Sequence, residues 1–339
     1  MSYGLYENEL LRECQTYPPN LHKIQTLITN GANVNASDND DILLGEIIMG
    51  YGWRARPKCD DCEKEDEACD TCPENADNHY GGFYLPVLIK LFLDNGFDAS
   101  VRDGAYGGIC LRSLSWSSYD KYILEAAKLL LDAGADPEYK MEEDVESVLS
   151  RMAVKESAAR CLDEDHEEEN LFAAMVEILD AKIKGKDYHN IYYYDAILGK
   201  RIDAIYVCPD AGTQTEGIFD KTYLNGNSYQ NCYDGTMVFE CEGVPLCVSS
   251  CVTLMINPNM VSDDPEKKMD VSAFFPNCIG ARIQNITFDH KNIVHGTTWY
   301  GQTIIHLQLD SGVQITYTDN FGEVGKEIML ARFELLYKE

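Results

Sequence analysis

Basic residues are scarce in this sequence. Its 339 residues include 28 Lys and Arg against 57 Asp and Glu, so the net charge is -29. Such a charge repels nucleic-acid phosphates and anionic lipids and speeds encounter with basic molecules. Residues 1–190 hold 38 acidic and 18 basic residues, whereas residues 191–339 hold 19 and 10. The composition therefore argues against direct nucleic-acid binding and predicts a basic protein partner for the first part.

Long apolar runs are missing as well. The apolar stretches Leu85–Leu93 and Leu246–Ile256 are shorter than the ~18 consecutive apolar residues that cross a bilayer. Met1–Leu11 has no basic segment followed by an apolar one, so it does not resemble a secretion signal. We expect a cytoplasmic protein with no membrane segment, whose 13 cysteines are mainly reduced or bound to metal.

Common catalytic motifs are also absent. The sequence has no Gly-x-x-x-x-Gly-Lys-Ser/Thr loop, no Gly-x-Gly-x-x-Gly before a helix, no His-Glu-x-x-His and no Gly-x-Ser-x-Gly. A cysteine–histidine site in the second part stays open as an alternative, although no spacing there matches a known signature. Its candidate side chains are Cys232, Cys241, Cys247, Cys251, Cys278, His290, His295 and His306.

A phrase recurs in the first part of the chain. Leu27–Asn35, Leu91–Asp98 and Leu129–Pro137 each combine an apolar run with a glycine and an Asp or Asn. Glycine adopts the left-handed conformation that ends a helix, and Asp or Asn suits the turn that follows. The phrase predicts a series of helices that end in similar turns.

This phrase resembles the end of an ankyrin repeat. Gly96 and Gly134 are 38 residues apart, near the ~33 residues of that family, whereas Gly31 and Gly96 are 65 apart. An insertion within the second repeat would explain the longer interval. The family's Thr-Pro-Leu-His start is missing, and a fourth helix pair over 144–159 and 170–183 has Ala181-Lys182 in place of the glycine turn. The resemblance implies an ankyrin-like α-solenoid over residues 1–190.

Four cysteines lie in the insertion, residues 57–80. Cys59, Cys62, Cys69 and Cys72 form two Cys-x-x-Cys pairs, which suit a tetrahedral zinc site. The segment has little apolar content, so a structural zinc would hold it as a small knuckle. Unliganded or oxidised cysteines and a redox site are the alternatives.

The second part, residues 191–339, has the short β-branched runs that are typical of strands. Leu198–Ile205 matches Ile279–Ile286, and Phe239–Gly243 more loosely matches Leu307–Gly312, at offsets of 81 and of 68 to 69 residues. The matches allow two tandem β units, 191–260 and 275–339. We therefore predict an α+β multidomain protein: an ankyrin-like α-solenoid with a zinc-knuckle insertion, followed by a β-rich domain.

These patterns favour a protein–protein interaction function. The most concrete form is an inhibitor or immunity-like protein that covers a basic enzyme with its acidic surface. We expect the contacts at hairpin tips, with Asp38, Asp40, Asp41, Asp103 and Tyr106 as candidates. The alternatives are an enzyme with a Cys/His site in the β-rich half and the solenoid as substrate selector, and an adaptor that senses metal or redox state.

Overall fold

The protein forms two compact units. The computed structural model describes residues 4–16, 18–38, 41–54, 84–115, 121–140, 147–161, 166–208, 224–225, 228–229, 231–233, 236–248, 254–261, 264–295, 298–321 and 329–337. The first unit is Met1–Lys155 with Ile178–Gly185, and the second is Glu156–Glu177 with Lys186–Glu339. Among the described helices, none has the length and apolar character that a membrane span requires.

The first unit is mainly helical. Its helices are α1 (Leu5–Cys14), α2 (Leu21–Thr29), α3 (Leu43–Arg54), α4 (Tyr84–Asp94), α5 (Ala105–Leu114) and α6 (Tyr122–Asp132). The next two, α7 (Val148–Cys161) and α8 (His166–Ile183), contribute residues to both units. Strands β1 (Ser37–Asp38) and β2 (Asp41–Ile42) pair between α2 and α3. The helices bury apolar stripes, and Leu88, Ile89 and Phe92 of α4 are fully buried.

The recurring phrase produces the same helix-ending turn at three places. Gly31, Gly96 and Gly134 have φ angles of +104°, +92° and +94°. The residue after each glycine donates its N–H to the carbonyl five residues earlier: Ala32 to Leu27 (3.1 Å), Phe97 to Phe92 (2.9 Å) and Ala135 to Leu130 (3.0 Å). These bonds satisfy carbonyls that the helix end would leave unpaired.

The prediction of an ankyrin-like α-solenoid over residues 1–190 is wrong. The described helices vary from 9 to 18 residues and are scattered rather than set in a regular series. Both helices expected to close the series, α7 and α8, are divided between the two compact units. A solenoid requires similar repeats that each pack on their neighbours. The turn phrase marks where a helix ends, but it does not fix the spacing of helices.

The expected fourth turn also differs. Helix α8 continues through Ala181 and Lys182 to Ile183, and the residue with positive φ that follows it is Gly185, at +65°. The helix ends at Ile183, as predicted, but begins at His166, four residues before the predicted start at 170. Gly185 lies three residues beyond Lys182, the position at which the repeat pattern has its glycine.

The second unit contains two antiparallel sheets. The six-stranded sheet consists of β3 (Tyr192–Tyr193), β4 (Ile202–Cys208), β8 (Thr236–Cys241), β9 (Val244–Val248), β10 (Leu254–Ile256) and β11 (Met269–Asp270). The five-stranded sheet consists of β7 (Asn231–Tyr233), β12 (Ile283–His295), β13 (Thr298–Leu309), β14 (Val313–Phe321) and β15 (Met329–Tyr337). The strand order is β11-β4-β8-β9-β10-β3 in the first sheet and β12-β13-β14-β15-β7 in the second. A short separate pair joins β5 (Leu224–Asn225) and β6 (Ser228–Tyr229).

Strands β4, β8 and β9 of the six-stranded sheet pair in the same register as strands β12, β13 and β14 of the five-stranded sheet. Pairing of β4 with β8 starts at Ile202 and Cys241 and shifts by one residue before Ala204; pairing of β12 with β13 starts at Ile283 and Leu309 and shifts before Asn285. Tyr206–Val238–Cys247 thus corresponds to Thr287–His306–Thr316 across the strands. One core of buried residues from both sheets, including Phe239, Phe275, Ile305 and Tyr317, fills the unit.

The matched segments 198–205 and 279–286 also bond to each other. Gly199 N–H donates to the Ile283 carbonyl and Gly280 N–H donates to the Ile202 carbonyl, each at 2.8 Å. The two glycines have φ angles of +79° and +88°. Between them, the backbones of Arg201 and Arg282 form an isolated antiparallel β-bridge. Residues that match in sequence therefore occupy equivalent positions about this junction.

Within the second unit, hydrogen bonds join part of α8 to strand β10 of the six-stranded sheet and to the residue that follows this strand. The side-chain oxygen of Asn170, a residue only 1% exposed, accepts the Leu254 N–H at 2.6 Å. About two helical turns further along α8, the Glu177 carboxylate accepts a hydrogen bond from the side-chain amide of the buried Asn257 at 2.9 Å. Both bonds satisfy buried polar groups that would otherwise cost free energy.

Candidate functional site

The predicted metal ligands lie outside the described residues. Cys59, Cys62, Cys69 and Cys72 fall within 55–83, of which the structure gives no description. Among the described residues, no group of three or more His, Cys, Asp or Glu side chains could hold a metal ion. The zinc knuckle that we predicted as a fold element is therefore not part of the described fold.

The predicted partner-binding residues are placed differently from one another. Asp41 is exposed on the β1–β2 hairpin, where it pairs in register with Asp38. Asp40 and the side chain of Asp38 lie outside the described residues. Tyr106 is only 8% exposed, and its hydroxyl donates to Ser37 Oγ at 3.2 Å. Tyr106 therefore holds the hairpin against α5 and offers little area for a partner.

Asp103 is the most prominent of these candidates. It is exposed and has a φ of +57°, between Arg102 at +54° and Gly104 at +89°. Left-handed backbone is unfavourable for residues with a Cβ. The Arg102 guanidinium lies 5.6 Å from the Tyr106 ring centroid, a cation–π contact that supports the loop.

Hydrogen bonds link neighbouring turns of the first unit, and some of these turns carry acidic side chains. Asn35 Oδ1 accepts the Asp98 N–H at 2.9 Å, and the Asp136 N–H donates to the Gly104 carbonyl at 3.2 Å. The turns after α2, α4 and α6 are thereby linked in a row. We call the acidic side chains on the second and third turns the acidic turn row: Asp98, Asp103, Asp136 and Glu138.

Hydrogen bonds fix two of these carboxylates. The pKa of Asp98 is lowered because its carboxylate accepts bonds from the Ser100 hydroxyl, at 2.6 Å, and from the Ser100 N–H. Asp136 Oδ1 accepts the Glu138 N–H at 2.8 Å. The turn geometry thus keeps both acids oriented, and Asp98 stays ionised at neutral pH.

Several basic side chains are paired within the protein. Arg12 and Lys23 both lie within 4 Å of Glu9 and Glu13 carboxylate oxygens, at 2.7 to 3.7 Å. Further pairs are Lys90–Asp94 (3.1 Å), Lys184–Asp180 (2.7 Å), Arg201–Asp203 (2.9 Å) and Arg282–Glu242 (3.0 Å). Because acids outnumber bases two to one, this pairing leaves the surface charge negative.

The described thiols of the β-rich part are core residues. Burial raises the pKa of Cys241, Cys247 and Cys278 to about 12, so each is protonated at neutral pH. A thiol reacts as the thiolate, which these environments disfavour. The alternative Cys/His site therefore gains no nucleophile from them. Cys251 and the side chain of Cys232 lie outside the described residues.

His306 instead contacts oxygen-bearing side chains. Its Nε2 lies 2.9 Å from Asp289 Oδ2, and its Nδ1 lies 2.9 Å from Thr316 Oγ1 and 3.0 Å from Gln314 Nε2. We call these four residues the His306 network. They occupy one face of β12, β13 and β14, opposite the core face that carries Ile305, Leu307 and Ile315.

Geometry assigns the proton positions in the His306 network. Asp289 Oδ2 is an acceptor, so Nε2 carries the imidazole proton and donates it to this oxygen. In this tautomer Nδ1 has a single lone pair, which faces both the Thr316 hydroxyl at 2.9 Å and the Gln314 amide nitrogen at 3.0 Å. The exposed fractions of the His306 and Asp289 side chains are 17% and 68%, and Thr316 is 8% exposed. A hydroxyl, an imidazole and a carboxylate thus stand in hydrogen-bonded sequence.

The sequence pointed to His306 but not to its partners. Thr316, Gln314 and Asp289 are 10, 8 and 17 residues away from it, and strand pairing brings them together. Asp310-Ser311-Gly312 is typical of a hairpin turn, and the register of that hairpin places Thr316 opposite His306. His290 and His295 lie on β12, where the structure describes the backbone but not these side chains.

Comparison with known proteins finds no matching family model, no matching curated protein and no matching solved structure. The expectation of an ankyrin-type, zinc-binding immunity protein or inhibitor gains nothing from relatives. Because the described residues contain neither a regular solenoid nor a metal-binding group, the ankyrin-type and zinc-binding parts of that description are wrong for this part of the chain, whereas the inhibitor function stays a prediction.

Proposed function

We propose that this protein is an interaction protein, which binds a basic protein partner through the acidic turn row of its first unit. The observation that carries the proposal is the linkage of successive turns into one row of carboxylates, in a chain with a net charge of -29. The cytoplasm is the proposed setting. The six described cysteines that are free and buried suit a reducing compartment.

The electrostatics of the row support binding of a cationic surface. Exposed like charges raise the rate of encounter with an oppositely charged partner, and charge complementarity selects against acidic ones. Asp98 keeps its charge because hydrogen bonds from Ser100 lower its pKa. Asp98 and Asp136 thus present fixed negative charge rather than carboxylates that move freely.

The local backbone favours Asp103 as a central contact. A residue held in left-handed conformation costs roughly 1–2 kcal/mol, and Arg102 and Asp103 both adopt it. The Tyr106–Ser37 bond and the Arg102–Tyr106 contact hold the loop in this form. A prearranged loop loses little conformational entropy on binding.

The second unit gives less support to the alternative enzyme with a Cys/His site. Burial raises the pKa of the thiols of Cys241, Cys247 and Cys278. The His306 imidazole contacts Asp289, Thr316 and Gln314 rather than a described cysteine. The interaction function is therefore the one that the described geometry favours.

Affinity purification from the native host tests the proposal. The tagged protein is used at 0.1 M and at 0.5 M salt, and bound proteins are identified by mass spectrometry. The Debye length is roughly 10 Å at the lower salt concentration and below about 5 Å at the higher one, so the higher concentration screens charge attraction more strongly. We expect a basic protein that is retained at low salt and largely lost at high salt. Capture of acidic partners alone, or of none at either salt, would contradict the proposal.

A further inference from the structure

The His306 network has the arrangement of a nucleophile, a base and a group that orients the base. Thr316 Oγ1 lies 2.9 Å from Nδ1, and Asp289 Oδ2 lies 2.9 Å from Nε2. Threonine hydroxyls become nucleophiles when an adjacent base takes their proton. Gln314 Nε2, at 3.3 Å from Thr316 Oγ1, adds a hydrogen-bond donor beside the hydroxyl.

The matching sheet shows that the fold does not require this network. Register places Cys208, Val238 and Cys247 at the positions equivalent to Asp289, His306 and Thr316. These three residues form a small buried apolar cluster, against which Met260 and Val261 pack. The same strand arrangement is thus built with apolar side chains in one sheet and with a hydrogen-bonded polar set in the other.

From this contrast and the geometry, we propose that the His306 network is a nucleophilic site that cleaves small activated esters. Thr316 is the nucleophile, His306 the general base, and Gln314 a donor to the developing oxyanion. Asp289 is a positioning residue, which holds the imidazole with its proton on Nε2. The 8% exposure of Thr316 limits the substrate to a small acyl group.

The chemistry balances with water as the second reactant. Thr316 Oγ1 forms a bond to the ester carbonyl carbon while its proton passes to His306 Nδ1. The bond from that carbon to the leaving alcohol then breaks, and His306 gives the alcohol its proton. Water attacks the threonine ester in the same way, and the carboxylic acid leaves as the proton returns to Thr316 Oγ1.

A fluorophosphonate probe tests the site in the intact protein. Reaction forms an Oγ1–P bond and breaks the P–F bond, with loss of HF, and peptide mass spectrometry locates the adduct. We expect the adduct on Thr316 in the wild type and at residue 316 in Thr316→Ser, and none there in Thr316→Val. A wild type without this adduct, in a mixture where a serine hydrolase is labelled, would overturn the proposal.

His306→Val is the matched variant, because valine stands at the equivalent position of the first sheet. Loss of a general base lowers rates by roughly 10²–10⁴, so labelling at Thr316 should slow at least ~100-fold. Asp289→Ala should slow labelling at Thr316 and Asp289→Glu should restore part of the rate, because a carboxylate accepts the Nε2 proton and so leaves Nδ1 as the base. Equal labelling rates in the wild type and in His306→Val would also overturn the proposed site. Thermal unfolding of His306→Val checks that this variant is folded.

Discussion

Alanine substitution at Gly199 and at Gly280 should destabilise the second unit by the same amount. Both glycines have positive φ, at +79° and +88°, and nothing lies within 4 Å of a Cβ added at either position. The cost is therefore conformational rather than steric. Each N–H is also held by a bond of 2.8 Å to the opposite segment, so the backbone cannot move to negative φ without losing that bond.

The expected magnitude follows from two contributions. The left-handed conformation costs an alanine roughly 1–2 kcal/mol. Loss of conformational entropy in the unfolded chain offsets about 0.4–1 kcal/mol of this. We therefore expect each substitution to lower the free energy of unfolding by about 1 kcal/mol.

Urea unfolding of the two variants, followed by fluorescence and circular dichroism, measures these losses. A matched control is Gly312→Ala, in the β13–β14 hairpin, where φ is +80° and the space is also open. Costs at Gly199 and Gly280 that differ by more than about 1 kcal/mol would refute the equivalence of the two segments. The absence of any cost would refute the conformational account.

Three further results are expected. Asn170→Ala should destabilise the second unit by about 1–3 kcal/mol in urea unfolding, because it leaves the buried Leu254 N–H without its bond; an unchanged midpoint would contradict this. Cys247 should resist iodoacetamide in the native protein and react after unfolding, because burial raises the pKa of its thiol to about 12; rapid native labelling would argue against a core thiol. Ser100→Ala should raise the pKa of Asp98 in an NMR titration, because the Ser100 hydroxyl no longer donates to the carboxylate. A carboxylate whose pKa is lowered by folding stabilises the folded state at pH values above its unfolded pKa, and this stabilisation is lost on acidification. The free energy of unfolding of the variant should therefore fall less on acidification than that of the wild type.

Local features of the fold were readable from the sequence to different degrees. The glycine turns at Gly31, Gly96 and Gly134 were predictable because positive φ is a property of the residue itself. The way the helices associate was not, because the same turn phrase fits helices of different lengths and partners. Helix α8 shows the limit, because it begins at His166, before the predicted start at 170, although its end at Ile183 agrees with the prediction.

The polar sites show the same division. Exposed acids such as Asp103 can be proposed from charge and turn position alone, whereas the burial of Tyr106 depends on packing against the hairpin. His306 was one of several histidines without a preferred role until strand register placed Thr316 and Asp289 beside it. Long-range pairing brings such groups together, and a single sequence carries little information on it.

Charge reversal at Asp103 tests the central claim most directly. Glu125→Lys is the matched control, because Glu125 is an exposed acid on α6 outside the acidic turn row and its reversal changes the net charge equally. The account predicts that Asp103→Lys weakens binding of the basic partner about tenfold or more at low salt, a loss of roughly 1.4 kcal/mol, while Glu125→Lys has a small effect. Equal losses in both variants, or none in Asp103→Lys, would contradict binding through the acidic turn row.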